Sequence, residues 1–404
     1  MSHTSFAMPI STNAIPVNDL SPAHDVGLHA LKTWIKAQAA DLGFADCGVV
    51  HPDNPVFAKQ LAALQTYLAN GYHGELHFLQ DHHDKRANPA QLVMGTQSII
   101  SVRMDYLTDA PTPRAVTDNA LPNHGIIARY ARGRDYHKTM RGRLKTLAER
   151  LRQHLATHYP TLAEGFIYRP FSDSAPIFER ALAEQAGLGW TGKHTLLIHR
   201  AGGSFFVLGE LFTSLPLPPD APVGAHCGSC SACMAICPTQ AIVAPYTVDA
   251  RLCISYLTIE LDGEIPPPLR PLMGNRVFGC DDCQLICPWN KFAKRAQVAD
   301  FAPRHGLDDV GLLTLWAWDE AAFLRHTEGS ALRRTGYANF MRNVAVALGN
   351  APFDPTIVTA LRAKRDSLNA NTQRHVDWAL AEQTRKQRQN TPSCATITPD
   401  LNAP

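Results

Sequence analysis

Eight of the ten cysteines of this 404-residue chain lie within a single stretch of about sixty residues. The first four follow the spacing Cys-x2-Cys-x2-Cys-x3-Cys-Pro and are Cys227, Cys230, Cys233 and Cys237. In the bacterial ferredoxin run of this spacing, three thiolates hold one [4Fe–4S] cluster and the fourth holds a second cluster. The remaining four are Cys253, Cys280, Cys283 and Cys287.

Two four-iron clusters need eight thiolates, and this stretch supplies eight. Crossed ligation predicts a first cluster on Cys227, Cys230, Cys233 and Cys287. It predicts a second cluster on Cys237, Cys253, Cys280 and Cys283. Two structural zinc sites are the alternative, because paired cysteines also bind zinc. The short spacing of the first run suits a cube-shaped [4Fe–4S] cluster better than a single tetrahedral ion. Cys47 and Cys394 lie outside this stretch and are interpreted as a buried thiol and a tail thiol.

The composition is that of an ordinary globular protein, with 45% hydrophobic and 18% charged residues and a net charge of +2. No apolar run approaches the roughly 18 residues of a membrane span. The first twenty residues have neither a basic start nor an apolar core, so no secretory signal is expected. These features disfavour membrane, secreted and fibrous classes and predict a cytoplasmic protein.

Basic residues are concentrated near the C-terminus. From Arg325 to Asn390 there are eleven Lys and Arg against five Asp and Glu. Such an excess suits nucleic-acid binding, and it is equally typical of a solvated helical face.

Helical and strand-like segments alternate before the cysteines, so the first large domain is predicted to be α/β. A long amphipathic helix is predicted from Lys138 to His158 by the spacing of its apolar residues. The predicted order is a flexible extension (1–25), an α/β domain (26–215), a ferredoxin-like domain (216–295), a small HEAT-like helical region (296–386) and a flexible tail (387–404).

A glycine-rich loop, GLGWTGK at 187–193, superficially matches two nucleotide-binding patterns. Both patterns require a strand before the loop and a helix after it. Here the predicted order is reversed, so a dinucleotide or phosphate loop is not expected. The glycines instead indicate that backbone passes close to a bulky neighbour.

Several long motifs resemble those of the epoxyqueuosine reductase family. They are ARGRDYH (131–137), SDSAPIFERALAEQAGLGWTGKHTLLI (172–198), the first cysteine run, GNRVFGCDDCQLICPWN (274–290) and RRTGYANFMRNVAVALGN (333–350). The resemblance implies a nitroreductase-like domain that holds cobalamin beside the two clusters. It also implies a two-electron reduction of epoxyqueuosine to queuosine at the wobble position of tRNA, in a protein expected to be a monomer.

The resemblance also assigns roles to individual residues. Asp173 matches the proposed proton donor of the family, and a raised pKa would suit that role. From its local sequence alone, Asp173 is better interpreted as a helix N-cap, and the family resemblance reverses that preference. Asp135 is a second candidate acid, which also reads as a helix N-terminal carboxylate.

Cobalamin contacts are implied for Arg86, Lys193, Leu197 and Leu208, beside Asp173. For the two leucines, core packing is an equally good interpretation. Phosphates of the tRNA are expected to meet Arg333, Arg334 and Arg342.

Other functions also fit parts of this pattern. A reductive dehalogenase would use the same two cofactors on a halogenated small molecule, but it is expected to carry a tyrosine where this chain has a carboxylate. A simple electron carrier would hold iron without cobalt. A tRNA-binding protein with structural clusters would bind tRNA regardless of their redox state. As an enzyme, the protein would need a low-potential electron donor, which the sequence does not identify.

Overall fold

A computed structural model describes residues 22–108 and 121–390 of the chain. The helices are α1 Pro22–Asp41, α2 Val56–Ala69, α3 His83–Ala87, α4 Tyr136–His158, α5 Pro160–Ala163, α6 Glu179–Gln185, α7 Ala232–Ile236, α8 Ile254–Ile259, α9 Asp282–Leu285, α10 Leu312–Ala317, α11 Glu320–His326, α12 Gly336–Asn350, α13 Pro355–Arg365 and α14 Ala370–Asn390. The strands are β1 Asp46–Val50, β2 Ser98–Asp105, β3 His124–Ile127, β4 Tyr168–Phe171, β5 Trp190–Thr191, β6 Leu197–Ile198, β7 Phe206–Thr213, β8 Ile242–Ala244, β9 Thr247–Val248, β10 Arg276–Phe278 and β11 Val310–Gly311.

The largest sheet has the strand order β1-β2-β7-β4, and each of its pairings is antiparallel. Helices α1 and α4 bury apolar residues against it, including Ile35 and Leu144. The expected alternation of helices and strands is present. Over the described residues 46–108 and 121–213, the largest sheet lacks the parallel pairing that usually accompanies α/β alternation, because alternation along the chain does not fix strand direction. Among the other described strands, β3 and β10 pair in parallel.

Helix α4 confirms the predicted amphipathic helix, although it begins at Tyr136 rather than Lys138. Its buried residues include Met140, Leu144 and Leu151, which recur at helical spacing. Asp135 is its N-cap and accepts a hydrogen bond from the backbone N–H of His137. This cap fixes the first turn of α4, from which the side chains of Tyr136 and His137 project.

A second, small sheet joins the three predicted folded regions. Strand β3 from the first region pairs with β10 of the cysteine region and with β11 of the helical region. A second core extends from this sheet to the C-terminal helices and includes Ile127, Val277 and Val344. The three regions therefore pack as one continuous body.

Two predicted boundaries differ from the observed helices. Helix α1 starts at Pro22, inside the predicted extension, and α14 continues to Asn390, inside the predicted tail. The rest of those two segments, with Cys394, lies outside the described residues. Within residues 22–108 and 121–390, no helix combines the length and the apolar composition that a membrane crossing needs.

Candidate active site

A cavity of about 340 Å³ lies between the large sheet and the cysteine region. Strand β7 contributes Phe206, Val207 and Leu208 to one wall. The opposite side is formed by the predicted second cluster set, and all four of its members line the cavity: Cys237, Cys253, Cys280 and Cys283. The sequence thus brings four thiols from separate segments to one largely apolar space.

Thiols of the predicted first set lie close to one another. Burial raises the pKa of Cys287 to about 11, and neighbouring thiols add to that shift. Those neighbours are Cys227, Cys233 and Cys230. The short helices α7 and α9, which carry Cys233 and Cys283, pack together and bring the two halves of the cysteine region into contact. The crossed assignment of the eight thiols to two sets of four stays a prediction.

Asp173 lies beside this cavity, in the loop between β4 and α6. Its side chain is 55% exposed, and it is joined to the cavity lining by Tyr136. The hydroxyl of Tyr136 donates a hydrogen bond to Asp173 Oδ2 at 2.6 Å. Asp173 has a φ of +50°, a left-handed conformation that side-chain-bearing residues seldom adopt. Helix α6 begins only at Glu179, so Asp173 is not its N-cap.

The expected raised pKa of Asp173 is wrong for this structure. Burial raises its pKa, but hydrogen bonds from His137 and Tyr136 outweigh burial, and the result is a lowered pKa. The positive charge of Arg334 acts in the same direction. Asp173 is therefore an ionised acceptor that needs a neighbouring proton source.

His137 provides such a source. Its Nε2 lies 3.4 Å from Asp173 Oδ2, and its Nδ1 lies 2.7 Å from Asp135 Oδ1. Burial lowers the pKa of His137, but the hydrogen bonds to Asp135 and Asp173 raise it overall to about 9. The imidazole is thus protonated at neutral pH and stands between two carboxylates.

Neither Tyr136 nor His137 was singled out by sequence as a functional residue. The signal was their position directly after Asp135, at the start of a helix. Consecutive residues in a helix diverge by about 100°, yet the rings of Tyr136 and His137 stack with centroids 4.0 Å apart and both side chains contact Asp173. Only the fold shows this shared contact, because Asp173 is distant in sequence.

Two of the implied cobalamin residues line the cavity, namely Leu197 and Leu208. Two others do not. Arg86, on α3, is buried and donates to the carbonyl oxygens of Phe78 and Asp81.

The ammonium of Lys193 instead donates to Gly228 O and Cys230 O, at the loop of the first cysteine set. The glycines before it are needed by the protein's own backbone. A Cβ on Gly189 would lie 2.3 Å from the carbonyl oxygen of Ile198. Lys193 is therefore not part of the cavity lining, whereas Thr195 and Leu196, which follow it in the chain, do line the cavity.

Of the three arginines expected to meet phosphate, the structure leaves two at the surface. Arg333 is exposed, and Arg334 is half exposed beside Glu260. Arg342 is fully buried, and its guanidinium donates to the carbonyl oxygens of Leu257, Leu261 and Gly263. The phosphate role predicted for Arg342 is wrong, because these carbonyls occupy its donors inside the protein.

Comparison with known families identifies two regions of the chain. Residues 226–290 match the family described as a 4Fe-4S double cluster binding domain. Residues 86–174 match the family described as Epoxyqueuosine reductase QueG, DUF1730. The first match favours iron–sulfur clusters over zinc at the eight cysteines.

The chain is 51% identical over 360 residues to the epoxyqueuosine reductase of Salmonella typhimurium, covering 89% of this chain and 90% of that one. It superimposes on the epoxyqueuosine reductase of Streptococcus thermophilus with a TM-score of 0.76 and 27% identity, over 88% and 90% of the two chains. An epoxyqueuosine reductase solved with a tRNA-Tyr epoxyqueuosine-modified stem loop shares the fold, with a TM-score of 0.73, 24% identity and coverage of 88% and 100%. The extent and level of identity show that this chain belongs to the epoxyqueuosine reductase family.

Proposed function

We propose that this protein reduces epoxyqueuosine to queuosine at the wobble position of tRNA. The observation that carries the proposal is the position of Asp173, which joins a proton-holding imidazole to a cavity lined by four cysteines. The reaction takes up two electrons and two protons and releases the epoxide oxygen as water. A redox route and a proton route must therefore meet at one place.

The redox route fits the cysteine region. The first cluster would be held by Cys227, Cys230, Cys233 and Cys287, and the second by Cys237, Cys253, Cys280 and Cys283. The second set faces the cavity, as a cluster delivering electrons into it should.

We place cobalamin at this cavity, whose largely apolar wall would lie against the corrin ring. Leu197 and Leu208 would contact it, together with the neighbouring apolar wall of β7. When bound, cobalamin would supply a reduced cobalt able to open the epoxide. Arg86, on α3, and Lys193, in the glycine-rich loop, would stabilise the segments around the cavity rather than form its wall.

Asp173 would act as the general acid at the departing oxygen. Opening an epoxide leaves negative charge on oxygen, which a positioned proton neutralises. Asp173 is ionised, so the proton it relays would come from His137, whose protonated form is held by Asp135. Tyr136 would orient the Asp173 carboxylate toward the cavity.

The tRNA would approach along the surface that carries Arg333 and Arg334. A modified wobble base can be splayed out of its stack into a pocket, as single-stranded RNA recognition commonly requires. The positive charge of Arg334 helps to lower the pKa of Asp173, so this arginine lies within electrostatic range of the acid. We further propose that the protein acts as a cytoplasmic monomer and receives electrons from a low-potential donor.

Anaerobic turnover tests this proposal. Protein reconstituted with iron, sulfide and cobalamin is mixed with a low-potential reductant and tRNA bearing epoxyqueuosine, and the digested nucleosides are weighed. We expect the modified nucleoside to lose one oxygen. If the nucleoside is unchanged although both cofactors are bound, the substrate assignment is wrong. Turnover of a haloarene in place of the tRNA would favour the dehalogenase alternative.

A further inference from the structure

A buried acid lies in the middle of the largest sheet. Glu210 is on the central strand β7, opposite Ser101 of β2 and Phe171 of β4, and is completely inaccessible to solvent. The Ser101 hydroxyl lies 3.4 Å from its Oε1. Within the described part of the chain, no donor reaches its Oε2. An ionised carboxylate with an orphaned oxygen is costly to bury, so the surroundings must supply a proton.

A second carboxyl group lies against it. Glu179 is the first residue of α6, which packs against β7, and its side chain interacts with that of Glu210. Two carboxylates cannot hydrogen-bond to each other unless one of them carries a proton. The orphaned oxygen is thereby explained, because a proton shared between Glu179 and Glu210 satisfies both groups.

Glu179 also contacts the candidate acid. Its Oε1 accepts a hydrogen bond from the backbone N–H of Asp173. This contact holds the residue at its left-handed φ of +50°, a conformation that costs energy in a non-glycine residue. The strained backbone that orients Asp173 is thus tied to a carboxyl pair of which Glu210 is fully buried.

The charges around the pair favour a single shared proton. Burial raises the pKa of Glu179 to about 8, and the negative charge of Asp173 adds to the shift. Burial and Glu179 together raise the pKa of Glu210 well above its usual range. His137 is the positive group that acts on Glu179, and Asp173 is the further negative group that acts on both glutamates.

We propose that Glu179 and Glu210 form a one-proton pair that positions Asp173 for proton transfer. This inference rests on the proposed function, because Asp173 acts there as the acid. Glu210 holds the shared proton against Glu179, and Glu179 uses its other oxygen to fix the Asp173 N–H. Neither glutamate reaches the reacting atoms, so both are positioning residues.

Substitution of Glu179 tests the positioning role under single-turnover conditions with saturating tRNA. Glu179→Ala removes the acceptor for Asp173, and we expect the rate to fall about tenfold, the effect of losing one well-placed hydrogen bond. Glu179→Gln keeps an acceptor oxygen and adds a donor toward Glu210, so we expect it to recover most of that loss. The affinity for tRNA should stay the same in both variants.

Glu184→Ala is the matched control. Glu184 is on the same helix and accepts a hydrogen bond from the Thr191 hydroxyl at 2.8 Å, but it does not contact the Asp173 loop. Its rate should match that of the wild type. Equal rates for Glu179→Ala and wild type, or a Glu179→Gln variant as slow as Glu179→Ala, would overturn the positioning role.

Infrared spectroscopy tests the shared proton without any turnover. At neutral pH the wild type should show the carbonyl band of a protonated, buried carboxyl group. Glu210→Gln should lose that band, because the amide can donate to an ionised Glu179. A wild type without the band, or a Glu210→Gln variant that keeps it, would overturn the pair. A wild type that has the band but leaves epoxyqueuosine unchanged would instead reject the proposed function.

Discussion

The hydroxyl of Tyr136 lies 2.6 Å from the carboxylate of Asp173 and donates a hydrogen bond to it. Tyr136 also lines the cavity, so this bond connects the acid to the space where the reaction is proposed to occur. Burial and the charge of Asp173 raise the pKa of Tyr136, which keeps the phenol protonated as a donor.

Replacing Tyr136 with phenylalanine should slow the reaction about tenfold. The substitution removes the charge-assisted hydrogen bond that orients the Asp173 carboxylate. The rate is measured in single turnovers with epoxyqueuosine-containing tRNA. Tyr168→Phe is the control, since the Tyr168 hydroxyl donates a similar hydrogen bond to the carboxylate of Glu149, further along α4. A Tyr136→Phe variant as fast as this control would show that the bond is not used.

The pH dependence should reveal the protonated imidazole. His137 has an ordinary pKa of 6.5 and a raised pKa of about 9 in the folded protein. Its proton is therefore present through neutral pH and is lost as the pH rises through about 9. We expect the rate to fall above that value. The stabilisation of the folded protein by charged His137, complete below pH 6.5, should decline as the pH rises from 6.5 to about 9.

A His137→Gln variant is the control for this assignment. It should be slow at every pH and lack the alkaline decline. If the decline persists unchanged in that variant, another group titrates and His137 does not hold the transferred proton.

Iron content should distinguish the predicted cluster ligands from other thiols. Cys253→Ala removes one thiolate from the second set, and we expect roughly half of the iron to be lost, because each cluster holds four iron atoms. Iron per chain and the electron paramagnetic resonance spectrum of the reduced protein measure the loss. Cys47→Ala should retain all the iron, because Cys47 is a buried thiol of the first core. Equal iron in both variants would contradict the assignment.

The surface arginine should contribute to tRNA binding. Arg334→Ala should weaken tRNA binding and lower its dependence on salt by about one phosphate contact. Affinities measured at several salt concentrations check this, and an unchanged salt dependence would remove Arg334 from the interface.

Arg342 offers the contrasting variant. Arg342→Met leaves three buried carbonyl oxygens without their donor, and we expect a loss of stability of about 3 kcal/mol or more. Thermal unfolding rather than tRNA affinity is the measurement affected first.

The sequence predicted the features that depend on local spacing. The spacing of the cysteine run predicts a double-cluster domain, which the family match supports, and apolar residues at helical spacing mark α4 from Met140 to Leu155. These two patterns are readable because each reflects a geometric requirement within a short stretch of chain. Asp173 was instead identified through the resemblance of its motif to the epoxyqueuosine reductase family.

Features that depend on distant contacts were not predicted. Arg342 is in a helix whose residues from Phe340 to Gly349 are buried on every side, and a basic residue there resembles a phosphate ligand until that packing is known. Glu210 reads as one polar residue in an apolar strand. Its partner Glu179 is 31 positions away, and only the folded sheet brings the two carboxyl groups together.

Asp173→Asn tests the central claim most directly. Asparagine keeps the size of the side chain but cannot relay a proton from His137. Asp41→Asn is the surface control, and Asp135→Ala is not neutral, since Asp135 caps α4 and holds His137. With equal iron, cobalamin and bound tRNA, we expect Asp173→Asn to remove the epoxide oxygen at least about a hundredfold more slowly than the wild type. Oxygen loss at the wild-type rate would contradict the account.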